Sequence, residues 1–219
     1  MSQRLDDLLS QPRPIDAASL DKARALLAAE LKAPRPRGWR GDALVLLAVS
    51  WGMAALVAVV LLAAGATSAD LVGRHGAALG LVFAVGTACA WAAVAPPSSG
   101  RLLFSSAMGL SGIIGLVVLR ALGVSAPSAT PEWVCTVSHA GAGIAPLAVA
   151  LMVLKKSAPH PLRAALAGLA VGTCGALIGE IGCAQPWQHV LVYHLSAWLA
   201  LVAACAVFAR RLVRSSYAP

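Results

Sequence analysis

At 219 residues, with 59% hydrophobic and 12% charged side chains and a mean hydropathy of +0.79, the chain is too apolar for an ordinary soluble domain and reads as a polytopic membrane protein. The net charge of +8 would point to nucleic acid in a soluble chain, but the Lys/Arg bias of cytoplasmic loops accounts for it here without such a partner. The five cysteines form no C-x-x-C pair and no zinc-finger spacing, so neither a thioredoxin motif nor a Cys-rich structural zinc domain is supported.

The first 42 residues read as a polar head with a basic linker. Between Arg4 and Leu9 a helix would carry Leu5, Leu8 and Leu9 on one face, before Pro12 and Pro14 interrupt it. A second helix opens at Asp16, a good N-cap type. Its apolar face is Leu20, Ala23, Leu27 and Leu31, with Asp21, Lys22, Arg24 and Glu30 on the other faces, until Pro34 and Pro36 end it. Two such short pieces bury too little surface to be reliably stable alone and are expected to fold on a partner. Lys32, Arg35, Arg37 and Arg40 then form a basic collar with Trp39, suited to anionic headgroups at a membrane edge.

Ala43 to Ala66 is a run of 24 residues with no charged side chain, long enough to cross a hydrocarbon core of about 30 Å. It is too long and too far from Met1 for a cleaved signal peptide, so it reads as a retained signal anchor. Five further spans follow at about 77–95, 102–122, 134–154, 162–181 and 190–209. With the head inside, all but Arg74 and Arg120 of the 17 Lys and Arg residues fall on the cytoplasmic side, which places both termini there. The fold class is therefore all-α: six transmembrane helices within 43–209, a short cytoplasmic helical head, and a cytoplasmic tail from 210 to 219.

Polar residues gather on the opposite side. Asp70 and His75 lie in the first outer loop, Glu132, Cys135 and His139 enter the fourth span, and Glu180, Cys183, His189 and His194 join the fifth span to the sixth. On a helix from Trp133, Cys135 and His139 are four apart and share a face, which can present two ligands to one metal. Glu-x-x-Cys also occurs twice, at Glu132 and Glu180. Three readings stand side by side: interfacial polar residues with Cys135 and Cys183 paired, redox-sensing thiols, or a metal or haem site built on Cys135, His139, Cys183, His189 and His194. No other cofactor is indicated.

The remaining signals favour packing. Gly168 and Gly172, then Gly175 and Gly179, give two successive G-x-x-x-G spacings on the fifth span, and Gly109, Gly112 and Gly115 line the third. Cys89, Cys174 and Cys205 read as inert small hydrophobes, Pro146 as a kink in the fourth span, and Arg120 as a side chain that snorkels from the end of the third. No phosphate loop, nucleophile elbow or H-E-x-x-H motif is present, and no charged cluster is expected deep in the bilayer, so no enzyme is indicated.

The layout resembles the six-span bacterial membrane anti-sigma factors of the NrsF type. The resemblance covers the whole chain. It is carried by Leu5-Asp6-Asp7-Leu8-Leu9, the Pro/Arg/Trp collar, and His160-Pro161-Leu162-Arg163 running through a Gly/Ala-rich span to Cys183 and the Trp187–His194 loop. It implies that the head sequesters an extracytoplasmic-function sigma factor at the inner membrane until an envelope, redox or light signal ends the inhibition. In one light-responsive branch the repressed genes are those of carotenoid synthesis. The contact surface would be Leu5, Leu8, Leu9, Leu20, Leu27 and Leu31, laid in a groove of the sigma factor. The head holds no Cys or His and so departs from zinc-containing anti-sigma heads. Two rivals from other classes are a membrane haem or quinone oxidoreductase using His139 and His194 as ligands, and a small transporter, which would show broken spans and midplane charges.

Overall fold

A computed structural model describes Asp21 and residues 38–96, 98–123, 131–155 and 160–216, with 212–216 as backbone alone. The sigma-contact candidates Leu5, Leu8, Leu9, Leu20, Leu27 and Leu31 lie outside the described residues. The unit Arg37–Pro219, taken by itself, is a helical bundle with no strand among the described residues. In chain order it contains α1 (Trp39–Ala63), the short α2 (Ala69–Arg74), α3 (Gly76–Val94), α4 (Ser99–Leu122), α5 (Trp133–Lys155) and α6 (Pro161–Gly182). The three-residue α7 (Trp187–His189) then runs through a π-helical turn (Val190–His194) into α8 (Leu195–Ser216).

Six helical segments are long and apolar enough to cross a membrane: α1, α3, α4, α5, α6 and the continuous run Trp187–Arg211. They coincide with the six expected spans, each shifted by a few residues. Polar caps fix several starts. Ser68 accepts from the Leu71 N–H at 3.2 Å and Ser98 from the Arg101 N–H at 3.4 Å. At the head of α6 the His160 ring accepts from the Leu162 N–H at 3.2 Å, and Pro161 occupies the first turn, where its missing N–H costs nothing.

The apolar window of α6 is 89% buried, against 22% to 50% for the other spans, so α6 is the axis around which the bundle closes. It touches α1, α3, α4, α5 and α8. Its small residues permit this, because a helix surrounded on all sides must let neighbouring backbones approach closely. Gly168 faces the backbone of Val202 and the side chain of Cys205, and a Cβ on Gly172 would run into the indole of Trp198. That indole is held by a 2.9 Å bond from its Nε1 to the Leu169 carbonyl. On the outer helices Leu56, Val59, Leu103, Phe104, Ile144 and Leu199 point outward, as lipid-facing residues should. Pro146 is buried within α5 and does not end it.

The end of the bundle nearest Trp39 carries the expected interfacial aromatics. Trp39 packs edge-on against Trp91 at 4.8 Å between centroids, and the Arg40 guanidinium lies 5.4 Å over the Trp39 ring. Buried Arg163 caps the C-terminus of α3, its Nε donating to the Ala93 carbonyl at 2.7 Å and its Nη2 to the Val94 carbonyl at 3.0 Å.

Candidate functional site

At the distal end, where α1, α4 and α6 finish and α3, α5 and α7 begin, the bundle buries charge. Arg120, expected to snorkel, is instead turned inward. Its Nε donates to Glu180 Oε1 at 3.1 Å and lies 3.0 Å from Oε2, and its Nη2 donates to the Cys183 carbonyl at 2.6 Å. The reason is Glu180, which is 1% exposed on the central helix and could not remain there as a carboxylate without a counter-charge. His75 completes the group. Its Nδ1 lies 2.6 Å from the Glu180 carbonyl, and since a carbonyl only accepts, Nδ1 carries the proton and Nε2 faces Arg120 Nη1 at 3.5 Å. The network lies at the helix ends, Arg120 two residues before the end of α4 and Glu180 two before the end of α6.

Beside this network stand the cysteines and three histidines. Cys135 and Cys183 are both free thiols, so the expected disulfide reading is not the state described. One donor atom from each of Cys135, Cys183, His189 and His194 lies within 4.8 Å of the others. His139, expected to share a metal with Cys135, is outside that group of four. Its Nδ1 is turned back onto the Cys135 carbonyl at 2.8 Å, one helical turn earlier, which fixes the proton on Nδ1 and leaves Nε2 as a bare lone pair. The His139 and His194 rings are 4.3 Å apart, and His189 meets His194 edge-on at 5.1 Å. All three imidazoles are buried, at 3% to 5% exposure. His139 Nε2, His194 Nε2 and both nitrogens of His189 lack a hydrogen-bond partner among the described residues.

The backbone is arranged to admit these rings. A Cβ on Gly179 would stand 2.7 Å from His139 Nε2 and 2.7 Å from His194 Nδ1, and one on Gly175 would stand 2.9 Å from the His139 ring. The second G-x-x-x-G of α6 therefore makes room for imidazoles as well as for the α5 backbone, whose His139 Cα would stand 3.0 Å from a Cβ on Gly175. The π turn does the rest. Its i→i+5 hydrogen bonds, closed by the Leu195 N–H on the Val190 carbonyl, bring residues five apart onto one side, as the α-helix does for residues four apart. His189 and His194 are five apart. The Tyr193 carbonyl accepts from the Thr136 hydroxyl at 2.9 Å and the Ser196 hydroxyl at 3.3 Å.

A cavity of about 440 Å³ opens against the site, its apolar side formed by Leu61, Leu71, Val134 and Ile178 and its polar side by Cys135, Cys183, His139 and His189. Burial pushes the Cys183 thiol up, against the opposing pull of the Gln185 N–H and the Arg120 guanidinium. Asp70 stands apart in an exposed pair with Arg74 at 2.8 Å. The repeated Glu-x-x-Cys pattern has no shared role, since Glu180 is buried in the charged network whereas Glu132 is exposed. Arg120 and His75 belong to the site although neither was singled out by motif.

Against known proteins, the chain is 41% identical over 217 residues to the carotenogenesis protein CarR of Myxococcus xanthus, covering 98% of this chain and 97% of that protein. It belongs to the CarR family. No family profile and no solved structure matches it. The CarR alignment runs through head, collar and bundle alike, as the full-chain resemblance read from Leu5–Leu9 and His160–Arg163 requires. A multi-pass membrane protein of a carotenogenesis family is thus what the six spans and the CarR likeness jointly establish.

Proposed function

We propose that the protein is a membrane-bound anti-sigma factor, not an enzyme, which holds an extracytoplasmic-function sigma factor at the inner membrane and so represses transcription of carotenoid synthesis genes. The observation that carries this reading is the 41% identity to CarR over 98% of the chain, because it includes the polar segment ahead of α1 as well as the bundle. The asymmetry of Lys and Arg supports a head on the cytoplasmic side, where a sigma factor resides. The distal end then faces outward and receives the envelope, redox or light signal that ends the inhibition.

On this reading Leu5, Leu8, Leu9, Leu20, Leu27 and Leu31 form the sigma-binding face. Burial of one leucine contributes about 1.5 to 3 kcal/mol, so changing two of them to Asp should weaken the complex by about two orders of magnitude or more. The test is capture of a cytoplasmic sigma factor by the detergent-purified chain, compared with a Leu20→Asp/Leu27→Asp variant. Capture by the parent and loss in the variant supports the proposal; equal capture by both, or by neither, sinks it.

A further inference from the structure

We infer that Cys135, Cys183, His189 and His194 form a binding site for one divalent transition-metal ion of the zinc class, clasping α5, the α6–α7 link and the π turn together at the distal end. This goes beyond the regulatory reading and does not depend on it.

The donor set comes first. Two thiols and two imidazoles are the combination that borderline and soft transition ions prefer, whereas oxygen-seeking magnesium and calcium do not. Metal–sulfur bonds of about 2.3 Å and metal–nitrogen bonds of about 2.0 Å place the four corners of a tetrahedral site roughly 3.3 to 3.8 Å apart. The four donor atoms here already lie within 4.8 Å of one another, at most about 1 to 1.5 Å wider than that tetrahedron.

The unmet hydrogen-bonding capacity is the second observation. A buried polar atom without a partner costs stability, and a bundle rarely tolerates several in one place without a ligand to satisfy them. Both nitrogens of His189 and the Nε2 of His194 are in that condition, on residues at least 95% buried. They point into a space that also holds two free thiols.

The supporting shell is the third. The Cys183 carbonyl is anchored by Arg120 Nη2 at 2.6 Å, and the Cys183 N–H bonds the Gly179 carbonyl at 2.9 Å, so this ligand's backbone is fixed on both sides. The Thr136 hydroxyl, one residue after Cys135, holds the Tyr193 carbonyl beside His194. Such outer contacts are what orient ligands in a metal site. The adjoining cavity of about 440 Å³ gives an ion a route to the donors. His139 lies against the His194 ring with its Nδ1 donating to the Cys135 carbonyl, and stands outside the four converging donors.

Binding a divalent ion releases the two thiol protons, so the ion and two thiolates sum to zero charge, a neutral unit suited to a buried position. The experiment uses the full chain purified in detergent, reduced, stripped with a chelator and titrated with Co²⁺. One equivalent should bind with thiolate-to-cobalt charge transfer and the intense visible bands of tetrahedral cobalt, and Zn²⁺ should displace it. Cys135→Ser and His189→Gln should each weaken Co²⁺ binding by more than about 100-fold, a ligand mattering more than an outer-shell partner. A monodisperse parent that shows no charge-transfer band overturns the inference. So does a band that survives His189→Gln at unchanged strength, because the thiols alone would then be binding cobalt.

Discussion

Arg120→Met is the most informative single change, because it removes a guanidinium at nearly constant volume from the buried distal network. Glu180, 1% exposed, then loses its guanidinium partner and keeps only His75 close by, with Nδ1 3.6 Å from Oε2, and the Cys183 carbonyl loses its 2.6 Å donor. Breaking a buried pair by deleting one partner costs about 3 to 5 kcal/mol, most of it the uncompensated charge. Glu180→Met should cost a similar amount by stranding Arg120, whose side chain is 6% exposed. The double variant Arg120→Met/Glu180→Met removes both charges, and since a buried pair is often no better than an apolar replacement, it should stand within about 2 kcal/mol of the parent. The coupling between the two sites is then at least about 3 kcal/mol, far above the additivity expected of independent residues. Reversible unfolding by SDS in mixed micelles, followed by tryptophan fluorescence, measures all four species. The reasoning is refuted if each single change costs under about 1 kcal/mol, or if the double costs the sum of the two, because the pair would then be solvated or uncoupled.

Gly172→Leu should destabilise the bundle by about 1 to 3 kcal/mol or more in the same assay, since its side chain must displace the Trp198 indole, whereas Gly52→Leu, with open space around its Cα, should be nearly neutral. Reporters fused before Ser2 or after Pro219 should read as cytoplasmic and reporters at Asp70, Thr130 and Gln185 as external; an external signal from either terminus would remove the head from any cytoplasmic partner. Replacing Cys135 or Cys183 by Ser should fix carotenoid synthesis on or off while membrane insertion, followed by immunoblot of the membrane fraction, stays normal. If both variants respond like the parent, the thiols are structural.

The architecture was legible in the chain because a membrane makes few demands and states them in composition. Each span announces itself by length and apolarity, and the ends of the helices fall at residues that cap or break them: Ser98 before α4, His160 and Pro161 before α6. The central place of α6 was half legible. Its glycines signalled close packing, but the same small-residue stripe makes room for a tryptophan at Gly172 and for two imidazoles at Gly179, and a G-x-x-x-G spacing does not say which. Arg120 was misread for a related reason. Near a helix end an arginine reaches either the headgroups or the interior, and the choice was made by Glu180, 60 residues away on a helix whose neighbours only the fold reveals.

The chemistry of the distal end was visible as an inventory but not as a geometry. Cys135 and His139 satisfy the four-residue rule for one helical face, and the contact found between them is His139 Nδ1 donating to the Cys135 carbonyl, which leaves Nε2 turned towards His194. His189 and His194 break the same rule, being five apart, and on an α-helix they would diverge. They converge only because the chain adopts a π turn there, with the extra width stabilised by hydroxyls from Thr136 on α5 and Ser196 on α8. Those hydroxyls are the signal that periodicity could not carry. A π turn leaves carbonyls poorly satisfied within its own helix, so it is found where side chains supply the missing donors, and here both of them serve the carbonyl immediately before His194.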